Sequence, residues 1–344
     1  MQNSPHLDVL VRFHDFSRLL ELKRCIFSLV GQTYRPLNII LLLQCFTPEQ
    51  EQQLRHALQP LLQGDNAPTL QLHNRQQPEP QDARAHLMQA GIGIATGRYL
   101  AFLDYDDVLF PEAYQLLAQQ LSANNAAIAF ASVQPMVVDV YRDFCYSRGY
   151  LASIPYQGET LHDLFRHNFC PLHSYMFDRE RIPPSLLQID TSLTIEEDYA
   201  LLLQVCAALP ADFSLLNTTI GYYAFKTDAS NTVAMANLSP QQQEVYARMS
   251  AKIEQRRATT PLAPSVQIAL GFAEPHHNRT ISQALQQLPR AASKAQSTPT
   301  PQLPTLTLRK RIRVHGGVLP ASRRALLLWR TQGLRSLLRR LRAL

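Results

Sequence analysis

The sequence predicts an α/β domain built on a mainly parallel sheet. Two observations point there. Apolar runs of strand length alternate with segments of helical periodicity from Val9 to Ala131. The strand runs are also continuously apolar, as in Ile39-Ile40-Leu41-Leu42-Leu43, which suits strands covered on both faces.

The elements follow in order. Val9-Leu10-Val11 opens as a buried strand, and Leu19, Leu22, Ile26 and Leu29 give a helix from about Ser17 to Val30. Asn38 to Leu43 is the second strand, Pro48 to Leu62 the second helix, and Thr69 to Leu72 a short third strand. Ala83 to Ala95 is helical, with Thr96-Gly97 as its stop. Tyr99 to Leu103 is the next strand. Pro111 opens a helix that runs to about Leu121, and Ala127 to Ala131 is a further strand.

Beyond this point the pattern is more mixed. Val137 to Tyr146 reads as a strand or hairpin, Gly158 to His167 as a short helix, and Ser174 to Phe177 as a strand. Glu196 to Leu209 is a helix with an acidic first turn. Ser239-Pro240-Gln241-Gln242 starts another, which runs to about Arg257. From Thr259 to Leu308 Pro, Ser, Thr and Gln dominate, which predicts a largely disordered linker.

The chain has 344 residues, 46% hydrophobic and 17% charged, enough for a sizeable core. Its net charge of +6 is unevenly placed. Residues 309–344 hold eleven Lys or Arg and no Asp or Glu, leaving 22 basic against 27 acidic residues before them. The body is therefore acidic and carries no nucleic-acid footprint. The five cysteines, at 25, 45, 145, 170 and 206, form no C-x-x-C pair, as expected of reduced thiols in a cytosolic protein. The N-terminus lacks signal-peptide character, and no apolar run reaches the ~20 residues of a membrane span.

Chemistry concentrates in two acidic clusters. The run Tyr99-Leu100-Ala101-Phe102-Leu103 ends in Asp104, Asp106 and Asp107, at the carboxyl end of a strand, where open α/β sheets place their ligands. Three such carboxylates suit Mg²⁺ or Mn²⁺ bound together with a diphosphate. Turn and N-cap residues before the Pro111 helix are the alternative. The second cluster is Glu196-Glu197-Asp198, whose carboxylates can be aimed into a cleft as a general base. Here the alternative is an acidic first turn that only complements the helix dipole. Together the clusters suggest group transfer, with one stabilising a departing diphosphate and the other activating an acceptor.

Residues 8–128 resemble the nucleotide-binding half of family 2 glycosyltransferases, which have the GT-A fold. The resemblance rests on Val9-Leu10-Val11-Arg12-Phe13-His14-Asp15, on Ser28-Leu29-Val30-Gly31-Gln32-Thr33-Tyr34, and on Gly91-Ile92 followed by Ala95 through Asp107. Glu197-Asp198 falls where the family carries E-D. The resemblance implies a GT-A domain over residues 1–258, with a nucleotide-sugar half to about 135 and an acceptor half from 136 to 258. It also implies inverting transfer from a nucleotide-diphospho-sugar to a glycan or lipid-linked acceptor, in bacterial surface polysaccharide or lipopolysaccharide assembly. Asp104, Asp106 and Asp107 would then hold the metal and diphosphate, and Asp198 would be the catalytic base with Glu197 on the acceptor side.

The family pattern is altered at three places: the opening loop is Arg12-Phe13-His14-Asp15, Gln44 stands where an Asp usually recognises the base, and Gln89 replaces an Asn. Phe13, Gln44 and Gln89 remain donor-side candidates. Arg84 is a further candidate for a phosphate or donor sugar, with an exposed helix Arg as the alternative. His173 lies where acceptor-side residues are expected, although a buried strand His is an ordinary outcome. Lys226, in Tyr222-Tyr223-Ala224-Phe225-Lys226, can meet a diphosphate as a point charge, or be a solvated loop Lys. Asp228 to Asn231 has the composition of a loop over the site.

In the tail, Leu334, Leu337, Leu338, Leu341 and Leu344 repeat at helical spacing opposite Arg335, Arg339 and Arg342. A basic amphipathic helix of this kind lies on an anionic membrane surface, which would place the protein peripherally at the inner face of the plasma membrane. Docking on the acidic body is the alternative. An inactive nucleotide-sugar or glycan-binding relative and a nucleotidyltransferase are the competing functional readings. The second would want a Gly-rich loop after the first strand, and Arg12–Arg18 contains no Gly.

Overall fold

The structure, a computed structural model, describes residues 4–141, 144–151, 157–227 and 240–288. Its strands are β1 (Leu7–Phe13), β2 (Leu37–Gln44), β3 (Thr69–Arg75), β4 (Tyr99–Asp104), β5 (Val108–Leu109), β6 (Ile128–Val140), β7 (Cys145–Tyr150), β8 (Tyr175–Asp178) and β9 (Ala211–Lys226). Its helices are α1 (Leu19–Val30), α2 (Pro48–Leu58), α3 (Arg84–Ile94), α4 (Ala113–Ala123), α5 (Leu161–Arg166), α6 (Glu197–Ala208), α7 (Pro240–Thr259), α8 (Pro264–Ala269) and α9 (Ile281–Gln287).

The strands form one mixed sheet in the order β3-β2-β1-β4-β8-β6-β9-β5, with β7 paired to β6. The four strands β3, β2, β1 and β4 run parallel, and β8 is antiparallel to β4. The continuous apolar runs have the expected cause: β1, β2 and β4 bury both faces, whereas the edge strand β3 is only partly buried. Val9, Val11, Ile39 and Leu41 pack with α1, α2 and α4 on one side. Leu10, Ile40, Leu42, Leu100 and Phe102 pack on the other, with α3, α5 and α6.

Two glycines set the spacing near the site. A Cβ on Gly91 would lie 2.7 Å from Leu10 Cδ1 and 2.8 Å from Leu42 Cδ1, so α3 rests directly on β1 and β2. At Gly97 it would lie 2.7 Å from the His6 carbonyl oxygen. The buried Asp8 carboxylate accepts from the backbone N–H groups of Thr96 and Gly97 and from Asn38, which pins the entry of β4 against β1.

The long strand β9 is absent from the sequence expectation, which assigns no element to 211–221. Its Ser, Asn and Thr content masks a strand whose pairing with β6 breaks register three times. The Pro/Ser/Thr/Gln composition also misplaces the linker boundary. Residues 259–288, expected to be disordered, carry the end of α7, all of α8 and all of α9. Leu262, Val266, Ile281 and Ala284 join the core beside α6, because apolar residues at helical spacing outweigh the polar residues between them. Residues 289–308 and the tail 309–344 lie outside the described residues, as does the loop expected at Asp228 to Asn231.

Ile281 is fully buried. Ile281→Ala is expected to lower unfolding free energy by about 2–5 kcal/mol in urea titrations. A change below about 0.5 kcal/mol, the size expected of a surface substitution, would mean that this segment is no part of the folded domain.

Candidate active site

The site lies at the carboxyl ends of β1 and β4, facing the start of α6. Parallel pairing sets Arg12 opposite Asp104. Side chains alternate along a strand, so both point to the face shared by Leu10 and Phe102, where α6 packs. Arg12 donates from Nε and Nη2 to Asp104 Oδ1, at 3.1 and 2.7 Å, and from Nη1 to Glu197 Oε1 at 2.7 Å. Burial disfavours the guanidinium charge, but the two carboxylates more than compensate and hold its pKa above the ordinary value. Enclosure pushes the Asp104 carboxyl up, and Arg12 outweighs this and holds it below the usual range.

The acidic triplet is divided among separate partners. Asp106 Oδ2 accepts from Lys226 Nζ at 2.6 Å, and the Asp106 carbonyl accepts from Arg24 Nη2 at 2.7 Å. Asp107 turns inward: Oδ1 accepts from the Ala224 N–H at 2.7 Å, and Oδ2 lies 3.1 Å from His173 Nδ1. Burial, then the charges of Asp106 and Asp104, raise the Asp107 pKa. Burial lowers that of His173 to about 4, so its ring is neutral near pH 7. His173 also stacks on Tyr223, with ring centroids 6.0 Å apart. It supports the triplet from below, as a buried strand-side His.

At the start of α6, Glu196 takes a left-handed backbone conformation with φ 62°, a strained geometry that presents the next two carboxylates together. Glu197 is engaged by Arg12. Asp198 Oδ1 accepts from the Tyr199 N–H at 2.8 Å. Enclosure, then the neighbouring Glu197, raises the Asp198 pKa to about 7.

The remaining candidates separate by burial and partner. Arg84, at the first turn of α3, pairs with Asp82 at 2.8 Å and lies within the field of Glu197. The Gln44 side chain, at the end of β2, donates to the Gln81 carbonyl at 3.0 Å. Gln89 is tied to the loop before α6, donating to Gln188 and accepting from the Ile189 N–H at 2.7 Å. The Phe13 ring is fully buried against Phe46 and Tyr105, so it is a core residue and makes no cleft contact. Strand alternation accounts for this correction: Arg12 faces α6 and Phe13 faces α1. The segment Gln32-Thr33-Tyr34 is structural as well. Gln32 donates to the Phe110 carbonyl at 2.7 Å and accepts from the Tyr114 N–H, bracing the loop that follows the triplet. Arg12 and Arg24 are not among the residues the sequence singles out; for Arg12 the available signal is an Arg inside an otherwise apolar strand, and for Arg24, on α1, there is none.

For a divalent ion, Asp104 and Asp106 fit as hard oxygen donors at the cleft, with side chains 30% and 16% exposed. Asp107 does not fit, because its side chain is 3% exposed and its oxygens face Ala224 and His173. Among the described residues, no three of His, Cys, Asp and Glu are grouped to hold a metal, so an ion here would complete its shell with phosphate and water. No helix among the described residues is long and apolar enough to cross a membrane. None of the five cysteines is in a disulfide.

Residues 16–180 match the profile described as Glycosyl transferase family 2. The succinoglycan biosynthesis protein ExoO of Rhizobium meliloti (strain 1021) is 34% identical over 127 residues, covering 34% of this chain and 35% of the relative. The chain thus spans about a third of the length of that relative. Among solved structures, S. aureus TarS 1–349 superposes with a TM-score of 0.53 at 11% identity, covering 96% of this chain and 89% of TarS 1–349. The same protein in complex with UDP-GlcNAc gives a TM-score of 0.55 at 11% identity, covering 78% of this chain and 71% of that one. At this identity the likeness carries the fold. The profile match covers the acidic triplet and its supporting loops but stops short of Glu197, Asp198 and Lys226. Residues 16–180 are thus similar to glycosyl transferase family 2, on a fold shared with TarS.

Proposed function

We propose that this protein is an inverting glycosyltransferase that moves a sugar from a nucleotide-diphospho-sugar to an acceptor hydroxyl. One observation carries the reading. Asp198 projects from the start of α6 with its pKa raised to about 7, in the field of Asp104, which closes the donor strand. A carboxylate tuned near neutrality is suited to take a proton from an attacking hydroxyl. The family domain and the polysaccharide-biosynthesis relative support the reaction class, with surface polysaccharide assembly as its setting.

In this mechanism the donor diphosphate lies over Asp104 and Asp106, with Lys226 and Arg24 beside it. Asp104 and Asp106 are the residues that would hold Mg²⁺ or Mn²⁺, which supplies neutralising charge to a departing diphosphate. Glu197 borders the acceptor side, and Arg84, the candidate for a phosphate or donor sugar, lies within its field. The acceptor hydroxyl gives its proton to Asp198 and attacks the anomeric carbon from the face opposite the diphosphate, while the bond from that carbon to the diphosphate oxygen breaks and the nucleoside diphosphate leaves with the electron pair. Asp107, bonded to Ala224, keeps β9 and therefore Lys226 in register with the triplet. A catalytically inactive relative that only binds nucleotide sugars is the competing reading, and the commitment of the Gln44 amide to Gln81 in the expected base-recognition position favours it.

The test is release of nucleoside diphosphate from a panel of nucleotide sugars with Mn²⁺. Asp198→Asn is expected to lower kcat by at least about 10²-fold with donor affinity unchanged. Unchanged turnover in that variant would remove Asp198 as the base. A protein that binds donor and releases nothing with any acceptor would support the inactive reading. Since Asp198 must be ionised to accept a proton, kcat/KM is expected to rise with pH through about 7. A flat profile from pH 5.5 to 8 would contradict the assignment.

The basic segment 309–344 is proposed to hold the enzyme at an anionic membrane surface on the cytoplasmic side. Flotation with phosphatidylglycerol liposomes is expected for the full chain and lost when the chain ends at Leu308. Equal flotation would refute this.

A further inference from the structure

Arg12 lies near the end of β1, in the segment where the sequence departs from the family it resembles, and the structure gives it a position that no motif assigns. It reaches the donor side and the acceptor side at once. Two of its nitrogens hold Asp104 on β4, and a third holds Glu197 on α6. Its side chain is 15% exposed and that of Glu197 is 5% exposed, so the bridge is enclosed. Met88 Sδ lies 3.5 Å from Nη1. A planar guanidinium can make this three-bond span, and an ammonium cannot.

We propose that Arg12 is a positioning residue that engages Glu197 and Asp104 in one bridge and thereby leaves Asp198 to take the acceptor proton. The proposal rests on the transferase reading for its purpose and on the bridge geometry for its substance. The titratable groups in electrostatic reach of Asp198 are Glu197 on its own helix, Arg12 on β1, Asp104 on β4, Tyr175 on β8, and Cys170 in the loop before β8. Arg84 on α3 faces Glu197. Arg12 is the cation that acts on Asp198 from this set, offsetting the two carboxylates beside it. Without it, the Tyr199 N–H would be left to oppose the charges of Glu197 and Asp104, and Asp198 would hold its proton to higher pH.

The titration of Asp198 can be followed without turnover, by carbon-detected NMR of protein labelled at the aspartate carboxyl carbons. The Asp198 signal is identified by its loss in Asp198→Asn. In Arg12→Gln the Asp198 midpoint is expected to rise by about one pH unit. In Arg12→Lys, which keeps the charge but loses the span, the expected rise is smaller. Adding Glu197→Gln to Arg12→Gln is expected to bring the midpoint back toward wild type. If Arg12→Gln fails to fold, Arg12→Lys and the double variant carry the test. A midpoint unmoved in the Arg12 variants would overturn the proposal, since a purely structural Arg would lower the melting temperature and leave Asp198 where it was. A double variant with a midpoint as high as Arg12→Gln alone would overturn the route through Glu197. Turnover is read separately. A wild-type protein that releases no nucleoside diphosphate sinks the transferase reading and leaves the titration result intact.

Discussion

The carboxyl end of this sheet gathers several carboxylates in a part-buried space, and the Arg12 bridge is the positive charge that offsets two of them. Asp104, Glu197 and Asp198 converge from a strand and a helix that are far apart in sequence. Each carboxylate raises the cost of ionising the next. Arg12 pairs with the first two at hydrogen-bond distance. Breaking such a pair by removing one partner costs about 3–5 kcal/mol, because the other charge stays buried. The bridge therefore fixes how α6 sits on the sheet as well as how the carboxylates titrate.

The rest of the core serves to deliver these groups. Parallel pairing of β1 and β4 puts Arg12 beside Asp104, and the Asp8 hub holds that register at the opposite end of the same two strands. Gly91 lets α3 lie against β1, which brings Arg84 to the site from one side. On the other side Gln32 fixes the loop after the triplet by bonding backbone groups at Phe110 and Tyr114. Positions that read as motif residues thus divide into those that meet the cleft and those that hold its walls.

The acidic triplet shows the same division. Asp104 and Asp106 stand at the cleft with Arg12 and Lys226 upon them, while Asp107 is spent on the Ala224 N–H and on the neutral His173. Like charges separated onto different partners repel less than three sharing one site, and the protein's own cations answer much of the demand for positive charge that the bare triplet implies. His173 and Lys226, both open to a bland reading from sequence, lie directly against the triplet, and they do so in different ways: one as a neutral ring beside Asp107, the other as a buried ammonium on Asp106.

The sequence by itself determined the parallel half of the sheet, because continuous apolar runs such as Ile39–Leu43 have no stable place except between two covering layers. It also determined that Asp104, Asp106 and Asp198 would lie at element ends, since strand and helix boundaries are local properties. It did not determine which way each side chain faces or what it meets. Arg12 and Phe13 are neighbours in sequence, yet one bridges the site and the other is core, because strand alternation sends them to opposite faces of a sheet whose covering helices come from elsewhere in the chain. Residues 259–288 and strand β9 were likewise decided by tertiary contacts. Their polar composition reads as linker or loop, and only a partner surface built from α6 and β6 turns their few apolar residues into core.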